Sequence, residues 1–274
     1  MTDDLDTGIR TPHTARSRSH PTGLRAGANS GADLHSRVVE DVGQRIINGE
    51  LAVGDIIFAE HLCQQLNISR SVVREGLRTL GSLGLIHSRP QRGTRVLPRE
   101  NWDLLSPYII RWRGQGPDYL QQMHEMLELR LGIERAAAHF AAVRMHDDDI
   151  AALARAAAGM KASFEARDTY GYFRADAELH RLLLEGSCNA VLAQFADTVA
   201  ALLRLRGATS PQVYSPDGIE APTLGLHIAL ADALVRRDQA GAADLAERII
   251  IETLREVDSV TSFPHANGPD PHRP

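Results

Sequence analysis

The sequence predicts a mostly α protein, with an N-terminal winged helix-turn-helix followed by an all-helical domain of about six helices. Three observations lead there. Residues 59–83 read as a helix, a tight turn and a second helix, with two short strand-like runs behind them. From Tyr119 almost to the end, apolar residues recur at helical spacing and no alternating pattern competes. Between Ser69 and Arg99 seven Arg face one acid, Glu75, although the chain as a whole carries a formal charge of −5. A basic stripe on an acidic protein is the electrostatic footprint of phosphate binding.

Each element has its own reason. Residues 1–30 mix Thr, Ser, Pro, Gly, His and Arg without apolar periodicity, and are expected to be a disordered tail. The DNA-binding domain is placed at 31–98. Its first helix should run from Asp33 to Asn48, with Val38, Val42, Ile46 and Ile47 inward and Gly49 ending it at the C′ position. Ala59 to Leu66 makes the next helix, and Asn67-Ile68 turns the chain, since Asn tolerates left-handed backbone. Ser69 stands where an N-cap belongs, its hydroxyl available to an orphan backbone N–H. On the helix from Arg70 to about Leu83, Val72, Val73, Leu77, Leu80 and Leu83 face inward. Arg70, Ser71, Arg74 and Arg78 are left outward. A wing follows, from Leu85-Ile86-His87 and Gly93-Thr94-Arg95-Val96 around a Pro90-Gln91-Arg92 tip.

Residues 99–118 form a connector that should be partly ordered, because it holds Trp102 and Trp112. The helical domain is placed at 119–260, in segments 119–143, 147–166, 169–186, 189–207, 220–237 and 240–258. Residues 261–274, rich in Pro, Gly and His, should fray. From residue 100 onward there are 17 basic and 25 acidic residues, so only the N-terminal part suits a polyanion.

Composition narrows the function classes. No window approaches the ~18 uninterrupted apolar residues of a membrane span, and the acidic start lacks a secretory apolar core. The two cysteines, Cys63 and Cys188, fall in separate domains and read as small buried apolar residues, which fits a reducing cytoplasm. There is no phosphate-cradling Gly-rich loop, nucleophile elbow or Cys-x-x-Cys pair, so the chain reads as a non-enzyme. The strongest polar constellation is Asp176 and His180 at i, i+4 on one helix, half of a divalent-metal site. The plainer reading is an Asp–His hydrogen bond on a surface helix. His227 is a candidate third ligand. Arg130 either pairs with Glu134 in the ordinary i, i+4 way or serves a carboxylate ligand.

The run Leu62-Cys-Gln-Gln-Leu-Asn-Ile-Ser-Arg-Ser-Val-Val-Arg-Glu-Gly-Leu-Arg-Thr-Leu, with Arg92-Gly-Thr-Arg-Val, resembles the winged helix of GntR-family bacterial regulators. Glu128-Leu-Arg with Glu134, Asp176-x-x-x-His180, Ser187-x-Asn189 and His227 with Arg237-Asp238 resemble the helical effector domain, FCD, of the FadR-type branch. The likeness covers residues 33–258. It implies a homodimeric, ligand-responsive transcription factor that binds a double-stranded DNA operator and a small-molecule carboxylate. The DNA-reading set it implies is Ser69, Arg70, Ser71, Arg74 and Arg78, with Arg92, Gly93 and Thr94 of the wing; Arg130 and Asn189 fall to the effector. Val72 stands where the family often has Pro. FCD domains commonly hold one divalent, zinc-like ion through an Asp and three His. The matching residues are Asp176, His180 and His227, but the fourth position is Ile249. Either a water completes a weak site, or the metal is lost and the polar groups meet the effector directly. Trp102 to Trp112 resembles the connector of FCD regulators that sense sugar acids such as galactonate or gluconate. Repression relieved by ligand is the expected polarity. The rivals are a plain metal sensor and a metal-dependent hydrolase carrying the winged helix as an interaction module.

Overall fold

The computed structural model describes residues 31–89, 93–213 and 221–262. The tails at 1–30 and 263–274 and the wing tip with Arg92 lie outside the described residues. The chain builds two hydrophobic cores.

The N-terminal core is made by α1 (Gly31–Ile47), β1 (Ile56–Ile57), α2 (Ala59–Leu66), α3 (Arg70–Ser82), β2 (Ile86–Arg89) and β3 (Gly93–Val96). Val38, Val42 and Ile46 of α1 are fully inside, while Ile47 is half-buried. Val73, Leu77 and Leu80 point inward from α3, and Val72, expected with them, is only half-buried. Gly76 lets α1 and α3 touch: a Cβ there would lie 2.6 Å from Val38 Cγ1. Asn67 takes φ 54° and ends α2, as its tolerance of left-handed backbone predicts. Ser69 is the N-cap of α3 by backbone, but its hydroxyl bonds no helix N–H and lies 3.1 Å from Ser71 Oγ instead. The sheet has order β1-β3-β2, antiparallel throughout, with Ser88 opposite Thr94 and Ile57 also paired to Thr94. Strand β1 was not visible in the sequence, where two apolar residues give no alternation to read.

The connector is more ordered than expected. A 3-10 turn at Arg99–Asn101 leads to α4 (Pro107–Arg113), started by proline at its first position. Ile109 and Trp112 of α4 join the N-terminal core, whereas Ile110 between them joins the C-terminal one.

The C-terminal core is all helix: α5 (Tyr119–Arg144), α6 (Asp147–Glu165), α7 (Thr169–Gly186), the short α8 (Ala190–Ala193), α9 (Ala196–Val213), α10 (Ala221–Val235) and α11 (Gln239–Ser262). The segment expected as one helix from 189 is two, α8 and α9. Asn189 caps α8, its Oδ1 accepting from the N–H groups of Val191 and Leu192. Asp147, Asp148 and Asp149 fill the first turn of α6, where the helix dipole favours acids. Helix α5 packs along α11, α7 lies between α6 and α9, and α10 leans on α11 and α6. Both cysteines are free; Cys63 is half-buried, and Cys188, expected inside, is exposed. Among the described residues no helix is long and apolar enough to cross a membrane.

Candidate functional site

Two sites stand out, one basic and exposed, the other polar and buried. On α3 the side chains left out of the core are Arg70, Ser71, Arg74 and Arg78, all exposed, at spacings that keep the three arginines along one helix face. Glu75, the one acid of the stretch, is paired with Arg78 at 2.5 Å. The arginines line an open cleft of about 580 Å³, closed on its other side by Ser88, Arg89 and Thr94 of the wing. Thr94 itself is buried, its Oγ1 2.9 Å from Ser88 Oγ across the strands, so it braces the wing. Gly93 takes φ 79° directly over Ile56, where a Cβ would meet Cγ2 at 2.5 Å. Only glycine suits that backbone and that gap. The outer face of the wing carries His87, Arg89 and Arg95 around a second hollow. Arg99, counted in the basic stripe from sequence, turns away and binds Glu125 of α5 at 2.8 and 3.1 Å.

The second site lies deep in the helical core. Asp176 and His180, one turn apart on α7, meet His227 of α10, and all three are buried. His180 Nε2 and His227 Nε2 are 3.2 Å apart. Asp176 Oδ1 lies 3.2 Å from the first and 3.1 Å from the second. Those are hydrogen-bond distances, yet Oδ1 has no aligned donor. The surface Asp–His pair is thereby excluded.

Further residues fix the imidazoles. His227 Nδ1 donates to the Thr223 carbonyl at 2.6 Å, which leaves the lone pair on Nε2. His180 Nδ1 lies 2.5 Å from Glu134 Oε2, an ion-pair distance at which the ring N–H is not aligned on the oxygen. Arg130 Nε in turn reaches Glu134 Oε1 at 2.6 Å, the i, i+4 pairing anticipated for those two. Burial works against the charge on Glu134, but Arg130 and His180 overcome it and bring its pKa from 4.5 down to about 2. Burial likewise opposes ionised Asp176, and the neighbouring imidazoles of His180 and His227 hold it well below the usual carboxylate range. For His180, burial pulls the pKa down, yet Glu134 more than compensates and it rises.

If both Nε2 atoms are unprotonated, their lone pairs and the carboxylate oxygen repel at this range, and either a cation among them or a proton on His180 relieves it. Ligands about 2.0–2.1 Å from a tetrahedral ion stand about 3.3–3.4 Å apart. The observed separations of 3.1–3.2 Å match that edge closely. The three donors Asp176, His180 and His227 fit a divalent cation. Ile249, buried on α11, offers no ligand atom.

Asn189 uses its Oδ1 on the α8 cap. Arg130 is buried and engaged with Glu134, which makes it a support for His180. Glu134 and Thr223 were not singled out as partners of the histidines. A signal existed for Glu134 alone: it shares an α5 face with Leu127, Ala137, Ala138 and Ala141, which marks it as buried.

A winged helix presenting an arginine row, joined to a helical domain with a buried polar cluster, defines a DNA-binding regulator with an internal ligand site. Comparison with known proteins agrees. The family model for bacterial regulatory proteins of the gntR family matches residues 34–96, and that for the FCD domain matches 125–252. The galactonate operon transcriptional repressor of Escherichia coli K12 is 30% identical over 227 residues, 82% of this chain and 97% of that protein. The transcriptional repressor NanR of Salmonella newport is 30% identical over 241 residues, 86% of each chain. The solved E. coli McbR/YncC shares the fold with a TM-score of 0.50 at 17% identity, over 84% of this chain and 99% of that one. The chain belongs to the GntR family, in the branch with an FCD domain, and is a ligand-responsive transcriptional regulator.

Proposed function

We propose that the chain is a cytoplasmic, homodimeric repressor whose operator binding is released by a small carboxylate. The observation carrying the DNA half is the exposed row of Arg70, Arg74 and Arg78 facing the wing across a cleft. Each head would lay α3 in the major groove, with Ser69, Arg70, Ser71, Arg74 and Arg78 toward bases and phosphates. Arg92, Gly93 and Thr94 belong to a wing on the neighbouring backbone. A dimer would read a near-palindromic site.

In the effector half, Asp176, His180 and His227 would hold one zinc-like ion. When bound, the ion supplies positive charge that attracts a carboxylate. The chain's own residues orient the imidazoles through Glu134 and Thr223 and exclude water by burial. A sugar acid such as galactonate or gluconate is the proposed effector, supported by the 30% identity to a galactonate operon repressor. A sensor or effector-gated switch needs no turnover, and catalysis is not part of the reading. One competing state has an observation of its own: a proton shared between His180 and His227 at 3.2 Å would also relieve the repulsion.

Operator binding by gel shift, repeated with galactonate and gluconate and with zinc or chelator, tests the whole reading. Release by one acid, abolished by chelator and by His180→Ala, is the expected result. Failure to bind any duplex selected from a random pool would remove the DNA assignment.

A further inference from the structure

An ion-pair fork ties the connector to α5. Glu125, nine residues before Glu134 on α5, accepts from Arg99 Nη2 through both oxygens, at 2.8 and 3.1 Å. Arg113 Nη2 joins it on Oε2 at 3.0 Å, and Gln121 Nε2 on Oε1 at 3.0 Å. Arg99 stands three residues after the wing strand β3, and Arg113 is the last residue of α4. One carboxylate thus gathers both ends of the connector onto α5. On the head side, Arg111 of α4 pairs with Glu40 of α1. Trp112 Nε1 donates to Glu40 of α1 at 2.7 Å, and the Trp112 ring fills the space over Gly43. Gln122 Nε2 donates to the Ile110 carbonyl at 2.8 Å, fixing α4 to α5 from below. Helix α4 is seated on both bodies, since Ile110 enters the effector core and Gly114 after it closes on Leu205. The Arg99 and Arg113 ion pairs converge on Glu125, with Asp118 at the start of α5 also 3.6 Å from Arg99.

We infer that Glu125 is a latch that sets the position of the DNA head relative to α5, the helix whose Glu134 holds His180. The separation of Glu125 and Glu134 is about 13–14 Å along a rigid helix. A tilt or slide of α5 imposed at the buried cluster moves Glu125 with it, and Arg99 and Arg113 follow. Two guanidinium groups, Arg99 and Arg113, converge on the one carboxylate, so its displacement is passed to both. Glu125 is exposed enough that its replacement opens no cavity. The inference rests on the regulator reading only for its meaning; the latch itself is independent of any ligand.

The test is amide hydrogen exchange, read by mass spectrometry, on the full chain and its Glu125→Gln and Arg99→Gln variants. The latch requires amides of residues 97–113 to exchange at least about tenfold faster in both variants, with α3 and α7 keeping wild-type rates. Wild-type rates across 97–113 in either variant overturn it. Acceleration of every element in Glu125→Gln would report lost folding, and the Arg99→Gln variant then decides. Selection of the wild-type protein against a random duplex pool runs alongside. No selected sequence would sink the regulator reading while leaving the exchange result to judge the latch.

Discussion

Zinc should bind the Asp176–His180–His227 cluster and raise thermal stability measurably. The donor atoms already stand 3.1–3.2 Å apart, so the folded protein has little reorganisation to make. Stabilisation by a ligand is RT ln(1 + [L]/Kd), about 2.7 kcal/mol at a hundredfold excess over Kd. For a protein of this size each kcal/mol moves Tm by roughly 2–4 °C, so the expected rise is about 5–10 °C. Scanning calorimetry over a zinc series, with a chelator control, reads it directly. Asp176→Ala and His227→Ala should each abolish the rise. Because imidazole ligands must be deprotonated and, against burial, Glu134 raises the pKa of His180, the rise should also shrink as pH falls, beginning above the ordinary imidazole range. A flat Tm in wild type would favour the shared proton, and an equal rise in the Asp176→Ala variant would place the metal elsewhere. Either result refutes the cluster as a metal site.

Arg74→Ala should raise the operator Kd about tenfold to a hundredfold while the helical domain melts unchanged. If Arg74 meets phosphate, the slope of log K against log salt falls by about 1. Glu134→Gln should destabilise the fold by about 3–5 kcal/mol, since it leaves Arg130 buried without its counter-charge, as denaturant melts will show. The folded pKa of Glu134 is depressed to about 2 from 4.5, so its stabilisation is present above about pH 4.5 and lost as pH falls toward 2. Melts across that window should flatten in Glu134→Gln. Gly84→Ala should cost at least about 2 kcal/mol in urea melts, because Gly84 has φ 75° and a Cβ there would lie 1.8 Å from the Asn101 carbonyl.

What the sequence disclosed follows from which signals are local. The helix-turn-helix was legible because Asn67, Ser69 and the apolar spacing of α3 act within a few residues of themselves. The i, i+4 pairs Asp176–His180 and Arg130–Glu134 were legible for the same reason. Convergence of α5, α7 and α10 on one buried point was not, since nothing near Glu134 names His180, 46 positions away. The resemblance supplied His227 where spacing alone offered a candidate. Short elements set by tertiary contact escaped: β1 exists because Ile56 and Ile57 find β3, and α4 because Trp112 finds Glu40 and Gly43. The cap that Asn189 gives α8 was not read from the sequence, where the residue entered through the resemblance alone.

The alternation along α4, with Ile109 and Trp112 in one core and Ile110 in the other, bears on how this regulator can be taken apart. A fragment ending at residue 98 would lack two of the largest side chains that complete its interior. Proteolysis after the wing would then yield a head too loosely packed to occupy an operator, not a constitutive repressor freed from its sensor. Recombination between relatives faces the same restriction, because a head exchanged without its connector leaves Gly43 facing an empty space. The unit that can be inherited or transplanted intact runs through Arg113, and a 31–113 fragment should show the sharper urea transition of the two.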